Sequence, residues 1–181
     1  MSFPRNVIGI AGWSGSGKTS LMVRLIPELV GRGYRVATVK HAHHDFDLDT
    51  PGKDSFEHRA AGASEVAIGS SARWALMGDY GGAPEMTLEQ MLARMSPADI
   101  YLVEGYKGSS HAKIEVHRRE MRTNLICTGN PSVIAVASDA AADDPRIAGL
   151  EIPVLDLADA PAIADFIVRQ CGLENRMRGA V

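Results

Sequence analysis

The chain has 181 residues, of which 45% are hydrophobic and 23% are charged, and its formal net charge is −3. This length and apolar content suit one compact domain with a substantial core and are too small for two ordinary domains. We therefore expect a single domain over residues 1–181. The slightly acidic balance argues against a nucleic-acid-binding protein, and no apolar run approaches the ~20 residues that a membrane-spanning helix needs.

The beginning of the chain and its cysteines favour a cytoplasmic, soluble protein. Residues 1–6 lack the charged and then apolar layout of a secretory signal. Cys127 and Cys171 are the two cysteines, and their spacing suggests no disulfide framework. We expect both to be reduced thiols.

A glycine-rich segment directly follows the first apolar run, Val7–Ala11. Residues 12–19 read Gly-Trp-Ser-Gly-Ser-Gly-Lys-Thr, which is a complete G-x-x-x-x-G-K-[ST] phosphate-binding loop. Backbone N–H groups surround the phosphates in such a loop, while Lys18 supplies a cation and the Thr19 hydroxyl can ligate Mg²⁺. The sequence therefore predicts a nucleoside triphosphate site. Its predicted binding residues are Gly12, Ser14, Gly15, Ser16, Gly17, Lys18, Thr19 and Ser20.

Strand and helix patterns alternate after the loop. Strands are predicted at residues 35–40, 65–69, 73–77, 100–103, 113–117, 133–137 and 154–155, and helices directly after the loop, at 54–62, at 87–95 and at 161–171. The strands at 65–69 and 73–77 are expected to pair as a hairpin. This order predicts an α/β protein of the P-loop NTPase fold, with a mostly parallel sheet, helices on both faces and an antiparallel or irregular edge.

Two local patterns refine these elements. Asp54 and Glu57 have the spacing of a capping box at the start of a short helix, and Gly62 lies where that helix should end. Lys113–His117 alternates polar and apolar residues, which predicts a strand with one polar, exposed face and one face toward the core.

Carboxylates near strand ends are candidate Mg²⁺ ligands. Glu104 follows the buried strand 100–103 and is expected to hold Mg²⁺ or its waters, with Lys18 acting on the phosphates. The alternative is a solvated carboxylate that ends the strand. Asp47 or Asp49, in the polar loop after the second strand, can complete the Mg²⁺ shell together with Thr19.

The same polar loop allows two other interpretations. His41, His43 and His44 lie within four residues, and imidazoles suit Zn or Ni. The loop is also compatible with a solvated polar segment that binds nothing. All three interpretations stay open at this point.

Four blocks of sequence are specific when they are taken together. They are the loop at 12–19, Val-Lys-His-Ala-His-His at 39–44 with Asp47 and Asp49, Gly-Lys-Asp-Ser at 52–55 with Ala-Gly-Ala at 61–63, and Leu-Val-Glu-Gly-Tyr-Lys at 102–107 with Lys-Ile-Glu at 113–115. This combination resembles the molybdopterin-guanine dinucleotide biosynthesis protein B (MobB) family over most of residues 6–139. The Lys-His-x-His-His and Gly-Lys-Asp-Ser blocks make the resemblance specific.

The resemblance implies a homodimeric GTP-binding adapter in molybdenum cofactor assembly. Such a protein assists the guanylyltransferase that joins GMP to molybdopterin, and it is at most a slow GTPase. The resemblance also implies that residues 15–19 hold the phosphates and that Thr19 and a nearby carboxylate hold Mg²⁺. It leaves open whether the chain contacts molybdopterin itself.

One residue is a candidate for recognising the base of the nucleotide. The chain lacks the Asn-Lys-x-Asp motif of ordinary GTPases, and the strand at 133–137 ends instead in Ser138 and Asp139. A carboxylate can accept hydrogen bonds from N1 and N2 of guanine, so Asp139 is the candidate guanine-binding residue. A plain turn residue at a strand end is the alternative.

Two other functions compete with the adapter hypothesis. The loop at 14–19 also resembles that of uridine kinase and phosphoribulokinase relatives, which suggests an ATP-dependent small-molecule kinase. Such a kinase needs arginines that clamp phosphates, and Arg118, Arg119 and Arg122 form the available cluster. The third hypothesis is a GTPase that delivers a transition metal through residues 41–44.

Overall fold

The computed structural model describes residues 3–42 and 46–174, which contain eight strands and four helices. The strands are β1 (Val7–Ala11), β2 (Val36–Lys40), β3 (Glu65–Gly69), β4 (Trp74–Gly78), β5 (Ile100–Glu104), β6 (Lys113–His117), β7 (Val133–Ser138) and β8 (Val154–Asp156). The helices are α1 (Lys18–Gly31), α2 (Asp54–Ala60), α3 (Leu88–Arg94) and α4 (Ala160–Gln170). The predicted elements are confirmed, with small shifts at their ends.

Six strands form one parallel sheet in the order β2-β5-β1-β6-β7-β8. Their carboxyl ends meet at one edge, where open α/β sheets bind ligands. The register pairs Ile10 with Glu104 on one side of β1 and with Ile114 on the other. The segment that follows β1 therefore starts in the middle of this edge, between the ends of β5 and β6.

Contacts within the chain define two compact units, Met1–His41 with Leu92–Val181, and Ala42–Met91. The first unit holds the six-stranded sheet with α1 and α4. The second holds α2 and an antiparallel pair, β3 and β4. The α/β class with an antiparallel pair is confirmed, although this pair forms a sheet of its own. The single domain expected from composition stays a prediction.

Helices α1 and α4 cover one face of the parallel sheet. Leu21 and Leu25 of α1 and Ile163 of α4 are buried in the core cluster that they share with the strands. Arg32, at the end of α1, ties the two helices together, because its Nη1 lies 2.5 Å from Asp165 Oδ1. The helix that follows the phosphate-binding loop is therefore fixed along its length.

The opposite face of β7 is covered without a helix. Val136 points away from the main core cluster and packs instead with Leu125 and Ile147. Both of these residues lie in non-helical segments. Loop residues rather than a helix therefore pack on this face at Val136. In the described ranges, no helix is long and apolar enough to cross a membrane.

Helix α2 begins without the predicted capping box. Its N-cap is Lys53, and no side chain caps the helix. Asp54 is already the first helical residue, so its carboxylate stands one position too late to accept from the third helical N–H. Asp54 and Glu57 instead place negative charge in the first turn, which the helix dipole favours. The predicted end near Gly62 is confirmed, since Gly62 has φ 105° and donates to the Arg59 carbonyl at 2.9 Å.

Strand β6 is buried on both faces, so the predicted exposed polar face is wrong. Glu115 is 1% exposed, and its carboxylate accepts hydrogen bonds from the backbone N–H groups of Ile126 (2.7 Å) and Cys127 (2.9 Å). His117 is buried as well, with its Nδ1 3.1 Å from Ser138 Oγ. Polar residues can line this strand because segments outside the sheet cover that face and supply hydrogen-bond partners, as residues 126–127 do for Glu115.

Lys113 is the most deeply buried Lys or Arg among the residues that the structure describes, with 1% of its surface exposed. Its Nζ donates to the His111 carbonyl at 2.9 Å, to Ser132 Oγ at 2.8 Å and to the Ser109 carbonyl. Three oxygen acceptors replace the water lost on burial. Burial nevertheless lowers the pKa of Lys113 from its ordinary 10.5 to about 8.

This pKa predicts a pH-dependent stability. Between pH 8 and 10.5 the unfolded chain holds the Lys113 proton while the folded protein has released it. The unfolded state then binds more protons, so the free energy of unfolding contributed by this group rises with pH, at up to about 1.4 kcal/mol per pH unit. Urea unfolding of the wild type and of Lys113→Met, measured across this window, should show a steeper rise in the wild type than in the variant.

The difference between the two proteins is the quantity to compare. Burial raises the pKa of the Cys127 and Cys171 thiols to about 11, and these groups oppose the rise at high pH. Their effect is common to both proteins and cancels in the difference. Equal pH profiles for the wild type and Lys113→Met would contradict the prediction.

Candidate functional site

Three glycines with positive φ shape the loop between β1 and α1. The φ values are 147° at Gly12, 79° at Gly15 and 92° at Gly17, which glycine adopts at little cost. Gly12 also has no room for a side chain, because a Cβ there would lie 2.5 Å from Ser16 Oγ and 2.7 Å from the Val116 carbonyl. The loop therefore curls tightly against β6, and curled backbone of this kind forms an anion-binding concavity.

Helix α1 begins at Lys18, directly behind this curled backbone. Its N-cap, Gly17, provides no side-chain cap, and the first turn carries no acidic residue. The first backbone N–H groups and the positive end of the helix dipole are therefore left for an anion. Ser14, Thr19 and Ser20 are exposed, whereas Ser16 is buried.

The Lys18 ammonium lies across the loop. Its Nζ donates to the carbonyls of Gly12 at 3.1 Å and Trp13 at 2.9 Å. Burial lowers the pKa of Lys18, and the positive charges of Lys107 and Lys40 lower it further, while Glu104 acts in the opposite direction. The ammonium groups of Lys107 and Lys40 thus repel that of Lys18, and a bound polyanion would relieve that repulsion.

Glu104 lies beside Thr19, as the sequence predicted. The Thr19 hydroxyl is 3.4 Å from Glu104 Oε1. The pairing of β1 with β5 creates this proximity, since Glu104 is in register with Ile10 of β1. A hydroxyl and a carboxylate oxygen at the mouth of the loop are the kind of donors that Mg²⁺ takes.

The turn after β5 is held in an unusual conformation. Gly105 has φ 98° and Tyr106 has φ 47°. A Cβ on Gly105 would lie 2.6 Å from His41 Cβ, and the rings of His41 and Tyr106 are 4.8 Å apart. This packing gives His41 a structural role at the turn.

The same turn delivers Lys107 to the phosphate loop. The Lys107 ammonium lies 5.3 Å from the centre of the Trp13 ring, within the range of a cation–π contact. The Trp13 indole N–H donates to the Asn124 carbonyl at 2.8 Å, which fixes the ring. Sequence reasoning did not pair Trp13 with Lys107, because the motif leaves the second loop position unspecified.

Asp47 and Asp49 lie in the second unit and are bonded within it. Asp47 Oδ2 is 2.7 Å from Arg59 Nη2, and Asp49 Oδ1 accepts from Ser55 Oγ at 2.8 Å. The backbone N–H of Asp49 lowers the pKa of Asp47, and Arg59 lowers it further. A role for either carboxylate in holding Mg²⁺ stays a prediction.

The transition-metal hypothesis rests mainly on residues outside the described ranges. His43 and His44 are not among the described residues. Within residues 3–42 and 46–174, no group of three or more His, Cys, Asp or Glu side chains is arranged to hold a metal ion. The structure therefore gives this hypothesis no support.

Asp139 lies at the end of β7 and contacts the segment that follows β6. Its Oδ1 accepts from the backbone N–H of Arg119 at 2.8 Å, and its Oδ2 is 3.3 Å from Arg118 Nη1. The Arg118 guanidinium in turn packs on the phosphate loop, with Nη2 3.1 Å from the position that a Cβ on Gly17 would take. Of the three clustered arginines, the structure places Arg118 against the loop, while Arg119 and Arg122 are exposed.

A residue that sequence reasoning missed supports this segment. Arg146 donates to the carbonyls of Met121 at 2.7 Å and Arg119 at 2.8 Å, and it pairs with Asp144 at 2.6 Å. Arg146 holds the pKa of the Asp144 carboxyl well below its usual range. No sequence pattern links Arg146 to residues 119–121, because the contact depends on how two loops meet in space.

A known protein family matches most of this chain. The model of the family Molybdopterin guanine dinucleotide synthesis protein B matches residues 7–139, from the first residue of β1 to Asp139. The chain belongs to this family. The resemblance seen in the sequence blocks is thereby confirmed.

Relatives of known name cover nearly the whole chain. The molybdopterin-guanine dinucleotide biosynthesis adapter protein of Escherichia coli is 41% identical over 177 residues, which are 93% of this chain and 95% of that protein. The protein of the same name from Haemophilus influenzae is 39% identical over 164 residues, covering 89% of this chain and 86% of its own length.

Solved structures share the fold. The crystal structure of a MobB protein homologue from Bacillus stearothermophilus has a TM-score of 0.66 and 26% identity, and the match covers 92% of this chain and 98% of that one. A crystal structure of molybdopterin-guanine biosynthesis protein B has a TM-score of 0.69 and 26% identity, covering 90% and 98%. The predicted fold class is confirmed.

Proposed function

We propose that this protein is a GTP-binding adapter in molybdopterin guanine dinucleotide biosynthesis. In this proposal it assists the guanylyltransferase that joins GMP to molybdopterin, and it hydrolyses GTP slowly. The observation that carries the proposal is the convergence of Lys18, Thr19 and Glu104 on the curled loop at the end of β1. The names of the Escherichia coli and Haemophilus influenzae relatives support the adapter role.

The positive charge of the site fits a triphosphate. Lys18, Lys40 and Lys107 lie close enough for the other two to lower the pKa of Lys18. The helix N-terminus adds further positive potential at the same point. A nucleoside triphosphate supplies the negative charge that offsets this cluster, and Lys18 is the residue placed to meet its β and γ phosphates.

The donor set beside Lys18 fits Mg²⁺. Thr19 Oγ1 and Glu104 Oε1 are 3.4 Å apart, so one cation can contact both oxygens or their waters. When bound, Mg²⁺ would neutralise charge on the phosphates. A Glu104 carboxylate engaged with the cation is a poor general base for water, which is the physical reason to expect slow hydrolysis.

Guanine selection is assigned to Asp139. Its carboxylate lies at the same sheet edge, two strands away from the strand that feeds the loop. The carboxylate accepts two hydrogen bonds, from the Arg118 side chain and the Arg119 backbone N–H. A carboxylate offers about four lone-pair sites, so part of its capacity to accept hydrogen bonds remains. The remaining sites can accept from N1–H and the N2 amino group of guanine, which adenine does not offer.

The kinase hypothesis has weaker support. It requires several arginines over the phosphates, and Arg119 and Arg122 are exposed rather than turned onto the loop. Membership of the family matched at residues 7–139 also favours an adapter over a small-molecule kinase.

Replacing Lys18 by Ala should abolish GTP binding. The substitution removes the cation that meets the phosphates, and we expect the affinity for GTP with Mg²⁺ to fall by more than about a hundredfold, the equivalent of roughly 3 kcal/mol. Calorimetric titration measures this loss. In a second assay, the wild type should increase the rate at which a molybdopterin guanylyltransferase forms the dinucleotide, and Lys18→Ala should not.

Arg169→Ala is the matched control, because it removes one positive charge from an exposed position near the end of α4. It should bind GTP as the wild type does. Wild-type affinity for GTP in a folded Lys18→Ala would refute the phosphate-loop assignment. Binding without any effect on the transferase would refute the adapter role alone.

We also propose that the protein is a homodimer and that a second copy covers the β3–β4 hairpin. An isolated two-stranded sheet is marginally stable in water. On this hairpin Trp74 and Leu76 share a face and are 71% and 51% exposed. Large apolar side chains grouped on an exposed face are typical of an interface, and a symmetric partner presents the same apolar face in return.

The dimer proposal predicts a mass of twice 19.4 kDa by light scattering. Replacing both Trp74 and Leu76 by Arg should halve that mass, because like charges then face each other. Val30→Arg is the control, since Val30 is an exposed apolar residue on α1. A wild-type mass of one chain, or a doubly substituted protein that stays dimeric, would contradict the proposal.

A further inference from the structure

Arg118 lies between the phosphate loop and the predicted guanine-binding residue. The sheet order places β6 between β1, which feeds the loop, and β7, which ends at Asp139. Arg118 directly follows β6. A nucleotide that spans from Lys18 to Asp139 must therefore pass over Arg118.

The guanidinium is held at both of its ends. Its Nη2 and Nε lie 3.1 and 3.2 Å from the position that a Cβ on Gly17 would take, so this edge packs on the loop backbone. Its Nη1 lies 3.3 Å from Asp139 Oδ2, and the Arg119 backbone N–H holds the other oxygen of that carboxylate at 2.8 Å. Asp139 thus fixes both the chain after β6 and the direction of the Arg118 side chain.

Most of the hydrogen-bonding capacity of Arg118 remains available. A guanidinium carries five N–H donors, and within the described residues Arg118 makes one hydrogen bond, to Asp139. Both members of that pair are about one third exposed, at 35% and 34%, and an ion pair of such exposure stabilises little. The ion pair with Asp139 orients the Arg118 guanidinium and leaves its other N–H donors available to a ligand.

The cations around the loop divide into two groups. Lys107 and Lys40 lie near Lys18, on the side of the loop formed by β5 and β2. Arg118 approaches from the side of β6, next to Gly17. Lys18 is placed to bind the β and γ phosphates. Arg118 lies on the side of the loop toward Asp139, where the base is expected, and so it is suited to bind the phosphate nearest the base.

We propose that Arg118 binds the α-phosphate of the nucleotide and that Asp139 is its positioning residue. This inference rests on the proposed nucleotide-binding function. A forked guanidinium can donate two parallel hydrogen bonds to one phosphate. The nucleotide is then bound by the phosphate loop and also by Arg118. The Arg118 contact is the same for nucleoside triphosphates and diphosphates.

Replacing Arg118 by Gln tests the proposal. The affinity for GTP and the affinity for GDP should each fall by about tenfold or more, and by the same factor, because both nucleotides carry an α-phosphate. Arg118→Lys should lie between the wild type and Arg118→Gln, since lysine keeps the charge and loses the fork. Calorimetric titration with GTP and GDP, each with Mg²⁺, measures these ratios.

Arg119→Gln is the matched control. It removes the same charge from the neighbouring residue, whose side chain is exposed and whose described contact is through its backbone. It should bind both nucleotides as the wild type does. Equal losses in Arg118→Gln and Arg119→Gln would indicate a general charge effect and overturn the proposal.

Three other outcomes are decisive. Wild-type affinity in Arg118→Gln overturns the proposal, and so does a loss confined to GTP, which would assign the contact to the γ-phosphate. If Arg118→Gln does not fold, a folded Arg118→Lys with wild-type affinity for both nucleotides overturns it. Failure of the proposed function differs from all of these, because the wild-type protein itself would then bind neither nucleotide.

Asp139→Asn tests the positioning role. Asn keeps the size of the side chain and can still accept one hydrogen bond, but it removes the charge that orients Arg118. The affinity for GDP should fall in Asp139→Asn, and should fall no further when Arg118→Gln is added. Additive losses would show that Asp139 acts independently of Arg118 and would overturn the positioning role.

Discussion

The close approach of the loop backbone to β6 at Gly12 is the constraint on which the site depends. A side chain there would collide with Ser16 Oγ and with the carbonyl of Val116. The curl of the loop is therefore tied to the pairing of β1 with β6, and α1 must start at Lys18 in the middle of the sheet edge. Lys18 and Thr19 take their positions from this geometry. There is a similar close approach at Gly105, where an added Cβ would lie 2.6 Å from His41 Cβ, and it fixes the turn that carries Lys107.

Strand β6 connects the interior of the sheet to the site. A buried charge costs free energy unless other groups replace its water, and each polar residue of this strand has such partners. Lys113 holds Ser132 and the turn before the strand, Glu115 holds the backbone at residues 126–127, and His117 contacts Ser138. The polar interior thus fixes the loops at both ends of β6. Because Arg118 directly follows this fixed strand, its position beside Gly17 is fixed as well.

The local sequence pattern was sufficient to predict the strands and helices and the placement of Lys18, Thr19 and Glu104. The loop motif, the helical spacing after it and the buried strand before Glu104 each depend on nearby residues, and the structure brings Lys18, Thr19 and Glu104 together as predicted. The exposure of β6 could not be predicted in the same way. Alternation of polar and apolar residues ordinarily marks a half-exposed strand, and only the three-dimensional structure shows that a segment distant in sequence, residues 126–127, covers the polar face at Glu115.

Contacts between distant loops lay beyond the reach of sequence patterns. Three such contacts join segments that no motif connects. Trp13 contacts Lys107, Arg118 packs on Gly17, and Arg146 donates hydrogen bonds to residues 119 and 121. The capping box at Asp54 failed for a different reason. The helix begins one residue earlier than the motif requires, and a shift of one position is enough to turn a capping carboxylate into a first-turn charge.

The central claim is that the loop at residues 12–19 binds GTP in preference to ATP. The most direct test is to titrate a fluorescent GTP analogue onto the purified protein with Mg²⁺ and then to displace it with unlabelled GTP or ATP. We predict that GTP displaces the analogue at a concentration at least about tenfold lower than ATP does, because Asp139 can accept from guanine and not from adenine. Displacement by ATP at an equal or lower concentration would contradict the account and favour the kinase hypothesis.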